Sequence, residues 1–303
     1  MRNRIVPVWA AALMTVALSG SASAVSITAD YSLLGTVYQD GSGQLHDTFA
    51  PGYTDVTGLF KTNVSTAISY WQNAILLPWS TTVTFTLFDL TGAGAVGDNL
   101  ITSTDANGRP TSSNLRVDDG SIQFFLDPTP ADNSEYTMGS TDAALGGGTV
   151  NVGRLGNALA GPASGKWDLL SLLLHELEHG LGFSASLPRF QNVTTATNMT
   201  IPTALSLLPS TFDIPLDGTH VDGVASGGLF NDTSIALPGF TDGQRALLTA
   251  ADILAICNVE GCASNQYNTN PSAAVPEPGT LLMLSLAAPL LIGLSRRRNR
   301  NKA

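Results

Sequence analysis

The chain is 303 residues long, 43% hydrophobic and only 13% charged. That length supports one large domain or two small ones, and the composition is too apolar for a disordered chain. The formal net charge is −10; seven of the 14 Lys and Arg but only one of the 24 Asp and Glu lie within residues 1–24 and 276–303, so the stretch between holds 7 basic and 23 acidic residues, a net of −16. Such a body repels nucleic acid and anionic membranes, which argues against a nucleic-acid-binding function.

The first residues, MRNRIVPVWAAALMTVALSGSASAVS, predict a secretory signal peptide. Arg2 and Arg4 form its positive region, Ile5 to Leu18 its apolar core and Ala22-Ser23-Ala24 its cleavage site, so residues 1–24 are expected to be removed. In LFKTNVSTAISYWQNAIL, Leu59 to Leu76, the apolar Ala67, Ile68, Trp71, Ala74 and Ile75 recur at helical spacing and predict an amphipathic helix. TTVTFTLFDL, Thr81 to Leu90, alternates Val83, Phe85 and Leu87 with Thr82, Thr84 and Thr86, the pattern of a half-buried strand. SIQFFLD and GGTVNVGRL are further strand candidates; the Gly-rich GGGTVNVG is either an edge strand able to pair an extended peptide or an ordinary internal strand.

GPASG, Gly161 to Gly165, is a turn before LLSLLLHELEHGLGF, Leu169 to Phe183. Leu169, Leu170, Leu172, Leu173, Leu174 and Leu177 make a helix apolar nearly all round, which belongs in a core, with Gly180 expected as its stop. Charged groups placed in such a stretch need partners. His175 and His179, four apart, project from one face and can meet one ion. Glu176 points about 100° round the helix, where a base holding water would stand. This is H-E-x-x-H, a pattern of zinc hydrolases, and Zn2+ is the expected cofactor. Glu178 fits no role at the metal and is expected to be a satisfied carboxylate, either at the surface or behind the metal ligands as their support. A third ligand is expected, with His220 in FDIPLDGTHVDG as the first candidate, Asp213 as the alternative, and Asp217 and the upstream His46 as further donors.

TDGQRALLTAADILAIC, Thr241 to Cys257, predicts one or two helices, with Thr241 and Gln244 spaced as a capping box. Cys257 and Cys262 are the only cysteines, and in an exported protein they can close a small disulfide loop. Ser264 to Pro278 is polar and Pro-containing and predicts a disordered linker. The order of elements suggests an α+β fold: a single domain over 25–263 with a twisted sheet packed on the active-site helix and a smaller C-terminal part, then a linker over 264–275.

The last 29 residues hold Val275-Pro276-Glu277-Pro278, an apolar run Leu281 to Leu294, and Arg296, Arg297, Arg298 and Arg300. That order resembles the PEP-CTERM sorting signal of Gram-negative bacteria, here residues 276–303. The resemblance implies a short membrane helix with a cytoplasmic basic end, transient membrane contact, cutting by an exosortase-type partner, and a body that works at the cell surface, in the extracellular matrix or as a secreted protein.

HELEHGLGF resembles the zincin metallopeptidases, and Gly182 matches the metzincin pattern H-E-x-x-H-x-x-G-x-x-H. The match stops at Ala185, where the last histidine of that pattern would stand, and no methionine follows His220 in the body to form a Met-turn. The resemblance implies a zincin-like fold and a zinc-dependent endopeptidase acting on protein or peptide substrates, with His175, His179 and His220 as ligands and Glu176 as general base. The alternative is a non-catalytic matrix or adhesion protein on a zincin scaffold.

Overall fold

The computed structural model describes residues 24–34, 37–39, 45–47, 57–88, 97–118, 124–126, 137–138, 155–157, 163–206, 210–221 and 242–271. Residues 1–23 of the signal peptide, the sorting tail and the Gly146–Gly153 stretch lie outside them.

The main sheet is built from β1 (Ser26–Asp30), β4 (Ser80–Phe88), β5 (Gly97–Thr104) and β6 (Pro110–Asp118), in the order β1-β4-β6-β5. β1, β4 and β6 run parallel; β5 pairs antiparallel to β6 and forms one edge. Helix α1 (Thr57–Ala74) makes the crossover from β1 to β4. Val83, Phe85 and Leu87 of β4 and Leu115 and Val117 of β6 are buried, as alternation demands of a face that carries the core. Onto that core pack α1, through Phe60, Val64, Ala67 and Trp71, and α2 (Leu169–Gly180). The Trp71 indole N–H donates to the Leu174 carbonyl at 3.0 Å and ties the two helices.

Smaller sheets surround this core. β2 (Val37–Gln39) and β3 (Leu45–Asp47) form a hairpin in which His46 pairs with Tyr38. β7 (Phe124–Phe125) pairs parallel with β10 (Trp167–Asp168), which leads directly into α2. β8 (Thr137–Met138), β9 (Leu155–Asn157) and β14 (Gln244–Ala246) form a second small sheet with β9 central. After α3 (Pro188–Val193), β11 (Asn198–Ile201), β12 (Phe212–Asp217) and β13 (His220–Val221) form a third, and α4 (Ala250–Glu260) follows. The fold is mixed α and β with four helices among the described residues, compatible with the α+β expectation. No helix among them is long and apolar enough to cross a membrane.

Three expectations are corrected. The segment from Thr241 does not begin as a helix: Gln244–Ala246 is strand β14, and α4 starts only after Thr249. The reciprocal box is made by Thr249 and Asp252, whose side chains each take the other's backbone N–H. An Asp at that position closes the box as a Glu or Gln would, whereas Gln244 is held by strand pairing to Asn157. α2 ends at Gly180 as expected, while the positive φ of +130° falls two residues later, at Gly182. A Cβ on Gly180 would clash with the Asn99 side-chain amide, so a glycine there lets β5 approach the helix. The expected linker begins later than Ser264. Residues 264–271 are docked, Tyr267 bridging Ile75 and donating its hydroxyl to the Leu205 carbonyl. Finally, the β5–β6 hairpin was not anticipated, because its Ser, Thr and Asn residues carry no apolar alternation on the outward side. The cysteines Cys257 and Cys262 are bonded to each other, closing the C-terminal turn of α4.

Candidate metal centre

The site is assembled on α2, and a buried ion pair fixes where that helix starts. Asp168 is its N-cap and accepts from Ser171 N–H at 3.0 Å. The Arg245 guanidinium, itself fully buried, pairs with the same carboxylate at 2.7 Å and lies over the Phe125 ring. Breaking such a pair from one side strands a buried charge and typically costs about 3–5 kcal/mol. Arg245→Ala is therefore expected to lower the urea midpoint by that order of stability, measured by circular dichroism; an unchanged midpoint would show that α2 does not depend on this pair.

His175 and His179 emerge one helical turn apart on α2. Their Nε2 atoms face each other at 3.2 Å. His179 Nδ1 donates to the Phe183 carbonyl at 2.7 Å, which leaves its Nε2 lone pair for a ligand. That carbonyl is aimed back by the turn at Gly182, where a Cβ would stand 2.6 Å from Glu260 Oε1. Glu260 is immobilised in turn by Arg109 and Arg189 at 3.4 and 3.5 Å.

His220 comes from the β12–β13 hairpin, 41 positions after His179, and its ring lies 5.3 Å from that of His175 and 5.1 Å from that of His179, centroid to centroid. One ligating atom from each of the three histidines lies within 4.8 Å of the others. Burial pushes His179 down to about 4 and also lowers His220, against the pull of the Phe183 carbonyl on the first and of Asp217 on the second. Both rings are therefore neutral at pH 7, the form that binds metal.

Glu176 is buried, with Oε1 at 4.0 Å from His175 Nε2 and Oε2 without a hydrogen-bond partner among the described residues. Burial pushes its carboxyl up to about 8, with Arg116 pulling the other way. Its backbone carbonyl accepts from Asn99 Nδ2 of β5 at 2.6 Å, so the edge strand sets the height of this turn of α2.

Two expected assignments fail here. Asp213 is exposed and takes the Thr200 hydroxyl at 2.6 Å; it is not in the ligand cluster, because it stands four residues back along β12 from Asp217, the residue that pairs with His220. Glu178 is not at the surface. It is buried, neither carboxylate oxygen has a hydrogen-bond partner among the described residues, and burial followed by the charge of Asp252 drives its pKa well up. No local pattern signals this, since the cover on that side of α2 comes from distant segments.

Comparison with known proteins adds one match. A family model described as the PEP-CTERM protein-sorting motif matches residues 274–300. The motif implies recognition by an exosortase-type enzyme and marks the chain as one exported toward the cell surface. No curated protein matches the chain.

Proposed function

We propose that this is an exported zinc-dependent endopeptidase of zincin type from a Gram-negative bacterium, with His175, His179 and His220 as metal ligands and Glu176 as general base. The observation that carries the reading is the convergence of three imidazoles from two separate elements, with a buried carboxylate beside them. The donor set fits the ion: three histidines and an open position are what a catalytic zinc takes. Zinc, when bound, acidifies a water and polarises the scissile carbonyl.

The chain's own residues supply the rest. Glu176 offers Oε2, free of other hydrogen bonds, to take the proton of the attacking water and pass it to the leaving amine. His179 keeps its ligand tautomer through the Phe183 carbonyl. Among the described residues β5 has no partner on its outer edge beside Glu176, and an extended substrate added there would run past the site.

The test is metal content of the purified protein together with casein cleavage. About one zinc per chain is expected, with cleavage lost to a chelator and restored by zinc. Zinc without cleavage would favour the non-catalytic matrix or adhesion reading, and absence of metal under zinc-replete conditions would remove the peptidase reading.

A further inference from the structure

The two ends of the body meet on one turn. At the N-terminal end, Val25 N–H donates to the Ile75 carbonyl at 3.1 Å and Ser26 N–H to the Trp79 carbonyl at 2.8 Å. From the other end, Tyr267 forms a bridge with the same Ile75; Leu76 N–H donates to Gln266 and Asn268 N–H to Ala74, both at 2.8 Å. The turn from Ala74 to Ser80 is thus clasped between the first strand and the last described segment.

This pole differs chemically from the rest of the body. The three segments that make it, 24–29, 73–82 and 263–271, contain no Asp, Glu, Lys or Arg, although the body carries a net charge of −16. The tip between the two clasps is Leu76-Leu77-Pro78-Trp79. Pro78 is exposed, Leu76 and Trp79 are half-buried, and the Trp79 indole N–H has no partner among the described residues. That N–H is itself buried, so what the tip offers a lipid surface is apolar: Pro78 and the exposed parts of Leu76 and of the Trp79 ring. Among the described residues, charge reaches the same end of the sheet at the β5–β6 turn, in Asp105, Arg109 and Arg189, which donates to the Asn107 carbonyl; both arginines lie against Glu260.

The length of chain outside the structure decides what this pole meets. The sorting motif starts at residue 274, with two residues between it and Pro271. Nine residues separate Pro271 from the apolar run at Leu281. Fully extended they reach about 30 Å, so the pole is held within one domain's width of the bilayer for as long as the tail is attached. An acidic body so tethered presents the face that is least repelled by anionic headgroups.

We propose that the Leu76–Trp79 turn is a membrane-contact tip, resting on the phospholipid surface in which the sorting tail is inserted. The occupant is the lipid itself. Contact orients the body with this pole inward while the tail awaits cutting, and it ends when the tail is removed, since the tip alone is too small to hold the body there.

The experiment uses the chain with its tail intact, reconstituted without any other protein into phosphatidylcholine vesicles carrying acyl chains brominated near the headgroup. The emission of Trp79 is the part lost in Trp79→Phe, with folding of the variant checked by circular dichroism. That part should be quenched by the brominated lipid. Pro78→Asp, a charge at the exposed tip, should relieve the quenching while the protein still floats with the vesicles. Unquenched Trp79 in protein that floats overturns the proposal. So does quenching that Pro78→Asp leaves intact, or quenching that needs a co-purified membrane protein, which would make the tip a protein-docking surface.

Discussion

His220→Ala is expected to strip the metal from the protein and abolish cleavage, whereas Asp213→Ala should leave both intact. The two positions are seven residues apart and were rival candidates, yet their surroundings differ. His220 closes the hairpin that faces α2, with its ring between 5.1 and 5.3 Å from the other two. Asp213 is engaged on the solvent side with Thr200. Removing a partner that merely orients a metal ligand costs 10–100-fold in affinity or activity, and deleting a ligand itself should exceed that. Zinc titration monitored by competition with a chromogenic chelator reads the affinity directly. Unaltered zinc affinity in His220→Ala would mean that the third donor lies elsewhere, and loss of zinc in Asp213→Ala would mean the hairpin moves on binding.

What made part of this site legible was that α2 carries its own instructions. The leucine run, the N-cap at Asp168 and the four-residue histidine spacing are local, so helix and ligand pair could be read together. His220 was legible only as a candidate, because its approach depends on three strands folding back between residues 198 and 221. The β5–β6 hairpin escaped because its stability comes from pairing with β4 rather than from an apolar pattern; its one local sign was the Asp105–Gly108 turn, where Asp105 accepts from two backbone N–H groups. Arg245 pulled in the other direction. In a segment that reads as helical, its ion pair with Asp168, 77 positions away, belongs to a strand. Long-range partners of this kind have no periodicity to betray them. The tail was legible for the opposite reason: its meaning lies in the order of its parts, which needs no fold.

The buried carboxylates also separate what is structural from what is chemical. Glu260 is buried but lies against two arginines, and its place under Gly182 gives it a bracing role. Glu178 has no such compensation and sits on the side of α2 turned toward the charge of Asp252. Glu176 alone combines burial, an open oxygen and contact distance to a ligand histidine. A group that costs the fold stability while serving no visible structural partner is where functional constraint is expected to dominate.

Glu176→Gln gives that argument two independent readings. In kinetics, losing a general base should lower kcat by about 10²–10⁴-fold while zinc content stays at the wild-type level, because the amide keeps the size of the side chain and leaves the His175 Nε2 lone pair, 4.0 Å away, to the metal. In stability, the sign follows from the shift. The folded metal-free protein holds the Glu176 proton up to about 8, whereas the unfolded chain releases it near 4.5. Between those values the folded state binds the extra proton, so the contribution present below 4.5 is lost as pH rises through 8. Glutamine cannot titrate, so the variant should lack this share of the decline, and metal-free Glu176→Gln should gain on the wild type in melting temperature between pH 5 and pH 9. Undiminished proteolysis in the variant would remove Glu176 as the base; loss of zinc would make it a ligand instead; and parallel melting curves across that range would show that the carboxylate is already ionised in the folded protein.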